Sequence, residues 1–149
     1  MNFLSSLTVC VVVTFTLAGC GAKSSAEEEV RALVASAETA AEERDVGDVM
    51  KLIADDYSDA QGFDKAQLTN FLRGYFVMHP KIELVVDIGA VEFPADGLAR
   101  TRVTIAMVGT QGTATDSSAT GDLETVELEL QRKGDEWRVT RADRVRGGL

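Results

Sequence analysis

Residues 123–132 read LETVELELQR, in which apolar side chains alternate with charged or polar ones. The apolar set is Val126, Leu128 and Leu130, and the residues that separate or follow them are Glu127, Glu129 and Gln131. Because successive side chains of a strand point to opposite faces, this period of two predicts a strand with one buried and one solvated face. The stretch is the third of four strands that we predict in the chain.

The other predicted strands lie on either side of this stretch, at 82–93, 98–108 and 137–145. The first changes parity near Gly89-Ala90, where an extra residue in a β-bulge would bring both apolar sets to one face. Residues 109–121 read GTQGTATDSSATG, which predicts a long hairpin loop between the second and third strands. The order indicates an antiparallel meander.

Three helices are predicted ahead of the strands. The first begins at Ala26 and places apolar residues three and four positions apart, with glutamates in its first turn. A second, short helix follows the break at Gly47 and extends toward Tyr57. Asp64 and Gln67 form a variant capping box that opens a third helix, and Pro80 closes it. Helices followed by an antiparallel meander predict one α+β domain.

The first 19 residues contain no charged side chain, and their apolar core from Leu7 to Leu17 is short for a membrane-spanning helix. This pattern is typical of a signal peptide. Leu17-Ala18-Gly19-Cys20 then resembles the lipobox of bacterial lipoproteins. The resemblance implies cleavage before Cys20, a diacylglyceryl group on Cys20 and a short tether over residues 20–25. An uncleaved N-terminal anchor is the alternative.

The lipoprotein resemblance also predicts the location and the first partner of the chain. Gly21 follows the lipidated cysteine, which in a Gram-negative host favours the outer membrane, facing the periplasm. The membrane would then be a partner through the lipid on Cys20. Cys10 would be discarded with the signal peptide, so the mature chain keeps no free thiol for catalysis or for a disulfide.

Composition excludes several functional classes. The 149 residues carry 15 Lys and Arg against 24 Asp and Glu, a formal net charge of −9, which argues against a nucleic-acid partner. One histidine and two cysteines are too few for a dedicated zinc site. Neither a phosphate loop nor a nucleophile elbow is present in the sequence, and we predict neither a metal nor a cofactor.

The order of elements and three short motifs resemble the nuclear-transport-factor-2-like, or cystatin-like, superfamily. The motifs are Arg44-Asp45-Val46-Gly47-Asp48, Tyr57-Ser58-Asp59 and Glu136-Trp137-Arg138-Val139. The resemblance implies three N-terminal helices packed on a curved four-stranded antiparallel sheet, with a conical pocket between them. The domain would span residues 26–146, with a tail at 147–149. The superfamily includes isomerases, dehydratases, cyclases, transport adaptors and binders of small molecules.

In such a cone, the pocket residues would be Tyr57, Phe71, Tyr75 and His79, although an aromatic stripe at helical spacing also fills an ordinary core. His79 is the single histidine and the natural acid–base candidate, but a histidine before Pro80 also caps helix carbonyls. Asp59 beside Tyr57 could take part in proton transfer.

Several alternatives to these site residues stay open. Tyr57, Tyr75, His79 and Asp59 are weak catalytic candidates, and Asp55, Asp56 and Asp59 are also explained as solvated loop carboxylates. Residues 132–149 hold six basic and three acidic side chains. This excess is either a ledge for anionic lipid head groups or a partner, or it is balanced by Glu127 and Glu129 pairing with Arg138 and Arg141.

Two functions of different classes follow. The first is a non-enzymatic module that binds a small apolar ligand or an envelope protein, and the second is a small isomerase, dehydratase or cyclase. A histidine or aspartate inside the cone and within hydrogen-bond reach of a tyrosine would favour the enzyme. A homodimer through the outer face of the sheet is compatible with both.

Overall fold

The computed structural model describes residues 25–107 and 123–145. The predicted signal peptide at 1–19, Cys20, the loop at 109–121 and the tail at 147–149 lie outside the described residues. Three helices and five strands make up the described part: α1 (Ala26–Glu42), α2 (Val46–Leu52), α3 (Lys65–Met78), β1 (Leu84–Ile88), β2 (Glu92–Ala95), β3 (Leu98–Met107), β4 (Leu123–Lys133) and β5 (Glu136–Arg144). None of these helices is both long and apolar enough to cross a bilayer.

The strands form one antiparallel sheet in the order β1-β3-β4-β5, and β2 pairs with the other half of β3, beside β1. The predicted α+β class is confirmed, with five strands where four were expected. The predicted first strand is divided at Gly89-Ala90, the position assigned to a bulge. The Gly89 amide donates to the Arg102 carbonyl at 2.8 Å, and a Cβ on Gly89 would lie 3.2 Å from that oxygen. The close approach therefore favours glycine where the strand breaks.

Side-chain caps begin α1 and α3. Ser25 accepts a hydrogen bond from the Glu28 amide while Glu28 accepts from the Ser25 amide, a complete capping box. Asp64 and Gln67 form the predicted box at the start of α3, which is confirmed. These reciprocal bonds satisfy amides that the helices leave without a partner.

Helix α2 ends at Leu52, earlier than predicted, because the next residues join the sheet. Ile53 forms a parallel bridge with Val139, and the Ala54 amide donates to the Val139 carbonyl at 2.9 Å. The Ser58 amide donates to Thr140 in the same manner. The segment that carries Tyr57 therefore runs along the edge of β5, and this fixes Tyr57 against the core.

The core is packed toward one end of the sheet, at the turn between β4 and β5, which we call the closed end. Its buried members from the sheet are Ala99, Leu130, Trp137 and Val139, and Val30, Leu33, Ile53 and Tyr57 cover them. Toward Met107, Leu123 and Arg144, which mark what we call the open end, the inward side chains of β3 and β4 become only half-buried. The helices therefore close one end of the cone and leave space at the other.

Candidate functional site

A cavity of about 400 Å³ lies between the three helices and the concave face of the sheet. Helix α3 forms one wall and packs on α2, where the Thr69 hydroxyl contacts the Met50 sulfur at 2.9 Å. The lining is apolar over most of its surface, with Leu33, Val34, Ala37, Leu52, Leu68, Leu72, Phe76, Leu84, Val86, Val103, Ile105, Met107, Val126, Leu128 and Ala142 among its residues.

Three of the four predicted pocket residues line this cavity: Tyr57, Phe71 and Tyr75. The two on α3 are one turn apart, with ring centroids separated by 6.0 Å. The Tyr75 hydroxyl donates to the Met107 sulfur at 3.2 Å, which connects α3 to β3 near the open end. These rings hold the wall in place as well as lining it.

His79 lies outside the cavity lining. Its imidazole stacks on the Tyr75 ring with centroids 4.0 Å apart, and its Nδ1 lies 2.9 Å from the Tyr75 carbonyl oxygen. Its backbone amide donates to the same carbonyl at 3.0 Å. His79 is therefore the C-cap of α3, which was the structural alternative to a role in acid–base catalysis.

Tyr57 and Asp59 are within hydrogen-bond reach of each other, but Asp59 is not part of the cavity lining. The Tyr57 hydroxyl donates to Asp59 Oδ2 at 3.1 Å, and Asp59 Oδ1 accepts from the amides of Gln61 and Phe63 at 2.9 Å each. Burial raises the pKa of the Tyr57 phenol, and the nearby Asp59 charge raises it further. Tyr57 thus keeps its proton, and its hydroxyl is directed at a carboxylate that closes a loop.

Asp55 and Asp56 are exposed and pair with lysines from other elements. The Lys65 ammonium lies 2.8 Å from Asp55, and the Lys133 ammonium lies 2.9 Å from Asp56. Hydrogen bonds from these lysines lower the pKa values of both carboxyl groups. Ionised, solvated carboxylates outside the cavity match the loop interpretation better than a general base.

Charged groups that were not among the predicted site residues also lie on the cavity wall. Glu124 and Arg144 form an ion pair there, and Glu38 on α1 contributes a half-buried carboxylate. The parity of Glu124 was a usable signal, because it shares the face of Val126 and Leu128 on β4. The three groups give the otherwise apolar cavity a charged rim.

The basic residues of the C-terminal strands are neutralised by acidic partners. Arg132 pairs with Glu29 and Lys133 with Asp56, at 2.9 Å each. Further pairs in the described residues are Arg138 with Glu136, Arg141 with Asp143, and Arg144 with Glu124. These strands therefore do not present a free cationic ledge.

The predicted partners of Glu127 and Glu129 were wrong. Glu129 pairs with Arg100 at 2.9 Å and Glu127 with Arg102 at 3.3 Å, so both ion pairs join β4 to β3 instead of β5. Although Arg141 lies opposite Glu129 in the register, its guanidinium binds Asp143. The nearby aspartate on the same strand competes for this arginine, which leaves Glu129 to β3.

Within residues 25–107 and 123–145, no group of three or more histidine, aspartate or glutamate side chains is arranged to hold a metal ion. The cavity lining is mostly apolar, with Glu38, Glu124 and Arg144 among its residues and with the Tyr57 hydroxyl directed to Asp59. Such a site can hold an apolar molecule and contact a polar end of it.

No family model matches the chain, and no curated protein matches it either. Several solved structures, by contrast, are similar to it in fold. A domain of unknown function with a cystatin-like fold from Nostoc punctiforme gives a TM-score of 0.66 at 15% identity, covering 83% of this chain and 78% of that one. A nuclear-transport-factor-2-like protein of unknown function from Pseudomonas putida gives 0.64 at 21% identity, covering 82% and 87%.

A third structure is a candidate dehydratase of the nuclear-transport-factor-2-like family from Streptomyces avermitilis. It gives a TM-score of 0.63 at 17% identity and covers 81% of this chain and 97% of that one. At these identities the similarity concerns the fold and not the activity, since this fold supports unrelated functions. The chain therefore has the nuclear-transport-factor-2-like, or cystatin-like, fold.

Proposed function

We propose that the protein is a lipid-anchored envelope lipoprotein, facing the periplasm, whose cone binds a small apolar ligand without transforming it. The observation that carries this proposal is the apolar cavity of about 400 Å³, which is within the usual size range of small-molecule sites. The polar candidates support a binding role over a catalytic one, because Asp59 and His79 are engaged in a loop and in a helix cap.

The anchoring part of the proposal is supported by the sequence around Cys20. The uncharged apolar segment, the small residues before Cys20 and the small and polar residues after it agree with a lipoprotein signal. With more than one acyl chain the attachment would be stable, whereas a single chain binds only marginally.

A small isomerase, dehydratase or cyclase is the second candidate. The Tyr57–Asp59 hydrogen bond of 3.1 Å favours it, as does the fold similarity to a candidate dehydratase. For this function a substrate in the cavity would have to displace Asp59 as the partner of the Tyr57 hydroxyl. The raised pKa of that phenol makes it a hydrogen-bond donor and not a base.

Protein partners are the other form of the binding hypothesis. Val85, Ala106 and Leu123 are neighbours across β1, β3 and β4 on the outer face of the sheet. Val85 is 59% exposed and Leu123 is 72% exposed, so an apolar strip faces outward there. It supports a homodimer or an envelope protein as a partner.

Native mass spectrometry tests the proposed function. Residues 21–149, expressed without lipid in a bacterial host, should carry a reproducible extra mass of a few hundred daltons, and the mass should be released intact after incubation. A ligand that is converted into a second mass would instead support the enzyme. Bare protein would overturn ligand binding and leave protein partners. The mass of full-length chain recovered from membranes, compared with Cys20→Ser, tests the lipid anchor separately.

A further inference from the structure

The N-terminal end of the domain is at the closed end of the cone. Ser25 caps α1, and one turn later the Glu29 carboxylate accepts hydrogen bonds from the Trp137 indole at 3.0 Å and from Arg132 at 2.9 Å. Both donors belong to the β4–β5 hairpin. Any anchor attached ahead of Ser25 is therefore connected to the domain at its closed end.

Among the described residues, 25–107 and 123–145, the cavity opens at the opposite end. Along β3, Ala99 and Val103 are 1% and 3% exposed, whereas Ile105 and Met107 are only half-buried. The charged rim residue Glu124 lies at this open end. The C-terminus of α1 lies at the same end, because the Glu42 carboxylate accepts a hydrogen bond from the Leu84 amide at 2.9 Å. Helix α1 thus spans the distance from the attachment point to the opening.

Two independent lengths measure this distance. The 17 residues of α1 rise about 1.5 Å each, which gives a length of ~25 Å. The eight steps of β4 from Arg132 to Glu124 rise about 3.3 Å each, which gives ~26 Å. The five residue steps from Cys20 to Ser25, by contrast, span at most ~18 Å even when fully extended.

We infer that, in the anchored protein, the opening of the cavity faces the aqueous space and not the bilayer that holds Cys20. With the opening against the bilayer, Ser25 would lie farther from the surface than the tether reaches. The ligand is therefore exchanged with the aqueous side, as an apolar molecule delivered through water or by a soluble partner. This inference rests on the proposed anchor at Cys20.

The orientation can be measured without the cellular lipidation machinery. Residues 20–149 contain a single thiol, Cys20, which couples to a maleimide lipid in nanodiscs. Gadolinium chelates on the lipid head groups then broaden amide signals according to their distance. Gly134 and Asp135 lie in the turn at the closed end, whereas Val77 and Met78 end α3 next to Tyr75, which contacts Met107 at the open end. Because the broadening falls steeply with distance, the length of ~25 Å between the two ends predicts effects about tenfold or more larger at Gly134 and Asp135 than at Val77 and Met78.

A longer tether is the matched control. Twenty Gly and Ser residues inserted after Ser24 form a flexible coil, which removes the limit on reach and should bring the two sets of amides closer together. Broadening at Val77 and Met78 equal to that at Gly134, with the natural tether, would overturn the inference. Absence of lipid on Cys20 in cells would overturn the proposed anchor and leave the nanodisc measurement unaffected.

Discussion

The Trp137 indole nitrogen donates a hydrogen bond to the Glu29 carboxylate 3.0 Å away, which joins the last strand of the sheet to the first turn of α1. The same carboxylate pairs with Arg132, whose guanidinium carbon lies 5.6 Å from the centre of the Trp137 ring. Trp137 is 5% exposed, so its indole has little access to water as a replacement partner. Glu29 therefore holds the closed end of the cone together.

Replacing Glu29 by Ala should lower the free energy of unfolding by about 1–3 kcal/mol, because it leaves a buried indole donor without its partner. Glu27→Ala is the matched control, since Glu27 lies in the same turn and pairs only at the surface with Arg31. Its expected cost is about 0.5 kcal/mol or less. Urea denaturation checks both, and equal losses would contradict the role assigned to Glu29.

Stability should fall when the pH rises above the ordinary pKa of tyrosine, 10.0, because of Tyr57. Burial raises the pKa of Tyr57 in the folded protein, so above this pH the unfolded chain loses the phenolic proton first. The contribution of the protonated Tyr57 phenol to the free energy of unfolding is fully present below pH 10.0, and above this pH it is lost at up to about 1.4 kcal/mol per pH unit.

Tyr57→Phe isolates this effect from the titration of lysines. Because the variant lacks the hydrogen bond to Asp59, its free energy of unfolding should be about 1 kcal/mol lower at neutral pH. Above pH 10.0 its free energy of unfolding should fall less steeply with pH than that of the unmodified protein. Denaturant midpoints at a series of pH values measure the difference. Parallel pH curves for the two proteins would show that the Tyr57 hydroxyl titrates normally.

A bulky side chain in the cavity should block ligand binding. Val86 lines the cavity, whereas the adjacent Val85 is exposed on the outer face. Val86→Trp should weaken binding of the neutral apolar dye N-phenylnaphthylamine by about tenfold or more, equivalent to ~1.4 kcal/mol. Val85→Trp makes the same chemical change outside the cavity and should leave the affinity within about twofold.

Dye fluorescence titrations measure both variants, and circular dichroism verifies that each is folded. Equal affinity of Val86→Trp and the unmodified protein would show that the apolar dye does not enter the cavity. A comparable loss in Val85→Trp would place the dye on the outer face of the sheet.

The charged rim should select ligands by charge. Arg144→Gln removes the cation and leaves the Glu38 and Glu124 carboxylates, so it should weaken binding of anilinonaphthalene sulfonate by about twofold to fivefold. Glu38→Gln should strengthen it by a similar factor. The neutral dye should respond to neither change, and added salt should reduce both effects. An identical response of both dyes would show that the rim does not contact the ligand.

Local patterns predicted the elements of the fold. The alternation around Val126 depends only on the two-residue period of a strand, and the capping box of Asp64 and Gln67 depends only on residues three positions apart. The break at Gly89 was visible for the same reason, as a change of parity. None of these features needs knowledge of distant parts of the chain.

The candidate site depended on contacts that local patterns do not contain. The apolar spacing of α2 predicts a helix through Ile53, but a bridge to Val139, 86 residues away along the chain, takes Ile53 into the sheet. Arg141 and Glu129 are opposite each other, yet each binds a different partner. Charged side chains are long and have several reachable partners, so the choice depends on the assembled surface.

What the sequence predicts and what only the tertiary structure decides differ because the forces involved act over different ranges. Backbone geometry and apolar periodicity act over a few residues, so the helices, the strands and the aromatic stripe through Phe71 and Tyr75 were accessible from the sequence. The His79 cap and the Asp59 loop are also local, since each bonds to a residue two to four positions away, and the structure selects them from alternatives that the sequence leaves open. Only the packed cone decides that Glu124 and Arg144 meet at the rim and that Tyr75 reaches Met107, because these contacts join separate elements in space.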